Sequence, residues 1–100
     1  MDIFARDLAG EKISVQDPEY NKIKEVITET QKKLAELNLS YHSREEVREI
    51  FSDLTGQDID GSFELLPPFY TDFGRNIKVG KDVFINQNCT FMDRGGITLE

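Results

Sequence analysis

Apolar residues recur at every sixth position through the last quarter of this chain: Phe73, Val79, Ile85, Phe91 and Ile97. A second apolar or small set, Ile77, Val83, Cys89 and Gly95, follows the first four of these by four positions. The stretches between are turn-forming: Gly74-Arg75-Asn76, Gly80-Lys81-Asp82 and Asn86-Gln87-Asn88. A period of six is neither the period of a helix, about 3.6, nor that of an alternating strand, about 2. It fits a solenoid of hexapeptides, in which short strands alternate with turns and inward residues stack from coil to coil. The rhythm slips near Gly95-Gly96, where Leu99-Glu100 reads as a fresh hexad two residues late.

The segment before the solenoid has a different period. Asp17-Pro18 predicts a helix start, because Asp17 can accept from free backbone N–H groups and Pro18 has none to satisfy. Ile23, Val26, Ile27, Leu34 and Leu37 then form one apolar stripe, with Glu25, Glu29, Lys32, Lys33 and Glu36 on the wet faces. Asn38 is a stop. Ser43 with Glu46 three residues later predicts a capping box, and Val47, Ile50, Phe51 and Leu54 line the next helix until Gly56. A shorter apolar turn spans Ile3 to Gly10. The expected organisation is a helical cap over 1–56, a linker over 57–68 closed by Pro67-Pro68, and solenoid coils over 69–100.

Charge and composition remove several function classes. The formal net charge is −7, opposite in sign to the basic footprint that nucleic acid or an anionic membrane surface needs. No run reaches the roughly 18 apolar residues of a membrane span. The first seven residues lack the basic start and apolar stretch of a secretory leader, so the expected location is cytoplasmic. Cys89 is the sole cysteine and His42 the sole histidine. Neither has a partner for a shared metal, and no metal is expected.

From Pro67 to Gly80 and from Val83 to Thr98, the order and spacing of residues resemble the hexapeptide-repeat sugar O-acetyltransferases, the maltose and galactoside acetyltransferase group. Leu8-Ala9-Gly10-Glu11 and the helix containing Ile50-Phe51 extend the resemblance towards the N-terminus. The resemblance implies a helical cap on a left-handed parallel β-helix, assembled as a homotrimer. It implies acetyl-CoA as co-substrate and a sugar as acceptor. A histidine general base takes the proton as the hydroxyl oxygen attacks the thioester directly. The family's histidine and its coenzyme-binding coils lie beyond the position of Glu100, and His42 does not align with that base. The expectation is therefore the cap and acceptor-side half of an enzyme, with no catalytic residue among these 100.

The same resemblance assigns Asp72, Asn86 and Asp93 to contacts with the acceptor sugar or to shaping its cleft, and Phe84 to lining it. Carboxylates and amides suit vicinal hydroxyls, and a held hydroxyl reaches attack geometry at lower entropic cost. The alternative for such residues is structural, since polar side chains in turns also cap backbone groups or face water. Gly95-Gly96 reads as a turn, and Cys89 as an inert inward thiol. A second functional reading, from another class, is a non-catalytic structural or oligomerisation module built on the same fold.

Overall fold

A computed structural model describes residues 2–100. Three helices come first: α1 (Ile3–Leu8), α2 (Tyr20–Asn38) and α3 (Arg44–Thr55). Asp2 caps α1 by accepting from the Ala5 amide at 2.8 Å. The capping box on α3 forms in both directions, Glu46 N–H to Ser43 Oγ at 3.2 Å and Ser43 N–H to Glu46 Oε1 at 2.8 Å. Gly56 closes α3 in the left-handed conformation, φ 71°. α2 begins later than Asp17-Pro18 predicts. The Asp17 carboxylate accepts from Glu19 N–H at 2.9 Å and from Arg6 Nη1 at 3.0 Å, which makes a turn ahead of the helix instead of its cap.

Six short strands follow: β1 (Glu64–Leu65), β2 (Phe69–Thr71), β3 (Ile77–Val79), β4 (Phe84–Ile85), β5 (Cys89–Phe91) and β6 (Ile97–Leu99). They pair in parallel as β1 with β4, β2 with β5 and β3 with β6, giving three faces of two strands each. Every residue pairs with the one twenty positions on, as in Glu64 with Phe84, Phe69 with Cys89 and Ile77 with Ile97. The pairing begins at Glu64, inside the segment that reads as a linker, because Phe63 and Leu65 already face the core.

A twenty-residue coil corrects the six-residue reading. Three hexads make eighteen, and the two additional residues sit at the corner between β2 and β3, repeated between β5 and β6. Val79, Ile85 and Phe91 do all pack towards the core, each from a different face. Phe73 instead packs with Ile3 and Ile23 under the helices, while Ile97 joins the row of Ile77. Gly95 is exposed.

The core runs from cap to coils through aromatic rings. Phe51 of α3 stacks on Phe63 at 4.7 Å and meets Phe69 edge-on at 5.5 Å, and Phe69 meets Phe91 edge-on at 5.2 Å. Such pairs add about 0.5–1.5 kcal/mol each beyond area burial. The helices also close the lower edge of the first coil, whose backbone has no preceding strand. Asn38 pairs with Phe69 in both directions, Nδ2 to the carbonyl oxygen at 2.8 Å and amide to Oδ1 at 3.0 Å. Thr30 donates to Phe73 O at 2.6 Å, Arg44 Nη2 to Ser62 O at 3.1 Å, and Gln57 to Ile77 O. Side chains of α2 and α3, with Gln57 just beyond α3, thus satisfy edge groups that would otherwise be orphaned or free to template another strand.

Candidate functional site

The long corner of the coil holds two of the sequence-predicted residues. In the second coil Asp93 takes the place that Phe73 holds in the first, and it is 0% exposed. Its Oδ1 accepts from Thr71 Oγ1 at 2.8 Å, Phe73 N–H at 3.1 Å and Gly74 N–H at 2.9 Å. Its Oδ2 accepts from Asn76 N–H at 3.0 Å. One carboxylate therefore satisfies three amide donors, those of residues 73, 74 and 76, around a five-residue corner that has no strand to bond them. The arrangement is a backbone nest closed over an anion. Asn76 Nδ2 in turn donates to Arg94 O at 3.2 Å, so the corners of the two coils are cross-tied.

Asp72 lies against this nest and is partly exposed. Its Oδ1 accepts from the Asp93 amide at 3.0 Å. The two carboxyl groups divide their titration unequally. Burial opposes the charge on Asp93, but the Gly74 and Asn76 amides and the Thr71 hydroxyl outweigh it and hold Asp93 below the usual 3.8. Burial, followed by the neighbouring Asp93 carboxyl, pushes Asp72 above the same value. Asp93 carries the structural charge, and Asp72 is the carboxyl with room to meet a ligand.

Asn86 and Phe84 lie at a different place, on the β1–β4 face and the corner that follows it. Phe84 is 54% exposed and stands in register with Glu64 on the outer side, while Leu65 and Ile85 point inward. Asn86 is exposed, and its Oδ1 accepts from Gln87 N–H at 2.8 Å, which fixes the amide at the corner. β5 separates Asn86 from Asp93 along the chain. The structure therefore brings Asp72 to Asp93, and leaves Phe84 and Asn86, two residues apart in sequence, both exposed at the end of β4.

His42 lies in the α2–α3 loop with Nε2 at 2.7 Å from Glu36 O. Cys89 is partly buried in register with Phe69. Among the described residues no three His, Cys, Asp or Glu side chains are grouped to hold a metal ion. No described helix is long and apolar enough to cross a membrane.

Sequence reasoning missed the residues that lock the long corner. Thr71 sits on a strand, where nothing marks its hydroxyl as a partner for Asp93. Asp7 and Arg94 form a two-pronged ion pair, Nε to Oδ2 at 2.8 Å and Nη2 to Oδ1 at 2.9 Å, tying α1 to the second coil. They lie 87 positions apart, and no local pattern announces the pair. The pairing of Asn38 with Phe69 had a partial signal. Asn38 ends a helix where an amide commonly caps, but its partner is a strand and not its own helix.

No family model matches the chain. Three relatives share the name "putative acetyltransferase". One from Staphylococcus aureus is 41% identical over 63 residues, covering 63% of this chain and 32% of that protein. One from Staphylococcus haemolyticus is 46% identical over 44 residues, covering 44% and 22%. One from Saccharomyces cerevisiae is 33% identical over 84 residues, covering 83% and 41%. Among solved structures, a hexapeptide-repeat-containing acetyltransferase of Vibrio cholerae, complexed with acetyl coenzyme A, superposes with a TM-score of 0.75 at 23% identity. That match covers 99% of this chain and 51% of the other. The chain thus has the fold of a hexapeptide-repeat protein, a helical cap with a left-handed parallel β-helix, matches about half of that solved chain, and spans less than half the length of the curated relatives it matches.

Proposed function

We propose that these residues form the acceptor side of an acetyl-CoA-dependent O-acetyltransferase whose acceptor is a sugar hydroxyl. The observation that carries the reading is the exposed Phe84–Asn86 pair on the outer face of a β-helix whose sequence relatives bear the acetyltransferase name. In the proposed reaction the hydroxyl oxygen attacks the thioester carbonyl of acetyl-CoA. The new C–O ester bond forms, the C–S bond breaks, coenzyme A leaves as the thiol, and the hydroxyl proton passes to a histidine base.

In this reading Phe84 offers an apolar ring to one face of the sugar. Asn86 supplies an amide donor to its hydroxyls or to charge developing in transfer. Asp72 accepts from a hydroxyl at the neighbouring corner, and Asp93 acts through Asp72 and the turn it organises. His42 is not assigned as the base, since its Nε2 is held at Glu36 O in the loop between helices. Homotrimeric assembly is part of the proposal and rests on the family resemblance alone. A cytoplasmic location is supported by the requirement for acetyl-CoA.

Release of thiol from acetyl-CoA, with glucose, maltose or a galactoside as acceptor, tests the assignment of the base. The expected result for these 100 residues is background turnover, because a positioned general base contributes about 10²–10⁴-fold. Turnover at an ordinary enzymatic rate would place the base within the chain and overturn that assignment. Amide shifts on adding sugar test the acceptor side, with the largest expected at Phe84, Asn86 and Gln87. A uniform response, or none, would remove the sugar from the reading.

A further inference from the structure

A guanidinium stands beside the carboxyl assigned to the acceptor, yet it does not pair with it. Arg94 directly follows Asp93, whose amide donates to Asp72 Oδ1 at 3.0 Å. Asp72 and Tyr20 of α2 both lie within reach of the Arg94 charge. A partly exposed carboxyl beside a cation ordinarily closes on it, because a charge-assisted pair is stronger than a neutral hydrogen bond. Among the described residues Asp72 forms no ion pair, and the Asp93 amide engages Oδ1 alone.

The reason lies on α1. Asp7 takes Arg94 by two bonds, Nε to Oδ2 at 2.8 Å and Nη2 to Oδ1 at 2.9 Å. This is the fork geometry in which a carboxylate holds a guanidinium most firmly. Asp7 is 9% exposed, so water competes little for it. α1 is fixed in turn by Ile3, buried with Ile23 and Phe73, and by the Phe4 ring at 6.2 Å from that of Phe73. Asn76 Nδ2 donates to the Arg94 carbonyl oxygen at 3.2 Å, so Arg94 is anchored by its backbone as well as by its side chain.

We infer that Asp7 is a positioning residue for the acceptor site: it takes up Arg94 and so leaves the Asp72 carboxylate open to a ligand hydroxyl. Without the Asp7 charge the guanidinium turns to the other carboxylate in reach, covers Asp72 and draws it off the Asp93 amide. α1 then keeps a neighbouring cation away from the site, beyond tying the cap to the second coil. The inference rests on the proposed acceptor role of Asp72, but its test needs no sugar. The titratable and charged groups around Asp72 are Asp93 in the nest and Arg94 beside it, with Asp7 of α1 and Tyr20 of α2 around Arg94.

NMR titration of the Asp72 side-chain carboxyl in the 100-residue chain tests it, in the wild type, Asp7→Asn, Asp7→Glu, Arg94→Gln and the double variant Asp7→Asn with Arg94→Gln. Asp7→Asn keeps the shape of the pair and removes the charge that holds Arg94. The Asp72 midpoint is expected to fall by at least about one pH unit, since an opposite charge within about 4–6 Å lowers a carboxyl pKa by about 1–3. The Asp93 amide resonance should move with it, as the bond to Asp72 is lost. Asp7→Glu keeps the charge and is expected to keep the wild-type midpoint even if α1 sits less closely. In the Arg94→Gln background, Asp7→Asn is expected to leave the Asp72 midpoint where Arg94→Gln alone puts it.

An Asp72 midpoint that Asp7→Asn does not lower makes the pair a structural tie and overturns the inference. A fall of equal size without Arg94 also overturns it, because the cause is then lost repulsion between Asp7 and Asp72. A fall in Asp7→Glu assigns the effect to the docking of α1 and overturns it likewise. Resonance shifts at Asp72 on adding glucose or maltose to the wild type test the acceptor role apart from these midpoints. Their absence removes Asp72 from the acceptor side and with it the purpose of the guard, while the midpoints still report whether Asp7 holds Arg94 away.

Discussion

The two polar corners of the second coil look alike in sequence and do opposite work. At the long corner, Asp93 is fully buried and draws in Thr71 and, from the matching corner of the first coil, the amides of residues 73, 74 and 76. At the short corner after β4, Asn86 and Gln87 are exposed, and the Asn86 side chain bonds only to the next amide. The long corner carries two residues more than three hexads allow, and those residues bring backbone donors with no strand to pair them. A buried acceptor is the remedy, and Asp93 is that acceptor. The short corner keeps the hexad count, needs no such remedy, and leaves its polar side chains to the solvent or to a ligand. Polar residues in a solenoid turn therefore divide by how much surplus backbone the turn contains.

The sharpest way to break this contrast is to remove the buried acceptor. Asp93→Ala is expected to cost about 3–5 kcal/mol, since it strands several inward donors at once. Asp93→Asn keeps one oxygen but points an amide at the Asn76 N–H, and is expected to cost about 1–3 kcal/mol. Urea unfolding followed by circular dichroism measures both. A loss below about 0.5 kcal/mol for Asp93→Ala would show that water replaces the carboxylate and that the corner is not locked by it.

The left-handed residue of each corner gives the next largest effect. Gly74 has φ +83°, and a Cβ there would lie 2.7 Å from Leu54 Cδ2 and 3.3 Å from the Leu54 carbonyl oxygen. Gly74→Ala therefore meets both a backbone penalty and the end of α3, and about 1–3 kcal/mol of destabilisation is expected. Asn88 adopts φ +61° at the short corner without being glycine. Asn tolerates that region, so Asn88→Gly is expected to change stability by less than about 0.5 kcal/mol. Equal effects of the two changes would erase the distinction between a packed corner and a free one.

Most of the fold was legible because it is local. The capping box at Ser43 and Glu46, the stop at Gly56 and the inward rows through Val83, Ile85 and Cys89 all follow from spacing within a few residues. The length of the coil was not legible. A six-residue count carries Phe73 onto the row of Val79, whereas the two additional residues send Phe73 outward beneath the helices and give its place in the next coil to Asp93. The start of the coil was misplaced for a related reason. Phe63-Glu64-Leu65 is too short to declare itself a strand until its partner twenty positions on is known. The candidate site was legible only through the resemblance, which singled out Asp72, Asn86, Asp93 and Phe84; which of them faced inward depended on coil register and on partners such as Thr71.

Acid separates the two carboxyls of the long corner. Asp93 is held below 3.8 when folded, so its stabilising contribution is complete above that value and is lost as pH falls through its lower folded value. Asp72 is raised, so its contribution runs the other way. It is complete below 3.8 and lost as pH climbs through its higher folded value. Urea midpoints measured downward from neutrality should therefore rise slightly before they fall. Asp72→Asn should remove the rise and keep the fall. A variant that also loses the fall would mean that the charge at this corner resides on Asp72.

The smallest effect on stability, and the most telling for function, is expected at Asn86. Its side chain is exposed and bonded only to the amide beside it, so Asn86→Ala should change the urea midpoint by the equivalent of less than about 0.5 kcal/mol. The same change removes an exposed amide two residues from the exposed Phe84, and sugar affinity should fall by at least about threefold. Phe84→Ala should follow the same pattern, because little of its ring supports the core. Binding lost without stability lost is the signature of a corner kept free for a ligand. If Asn86→Ala instead destabilises the chain as Asp93→Ala does, the short corner is locked too, and the case for an acceptor site there falls with it.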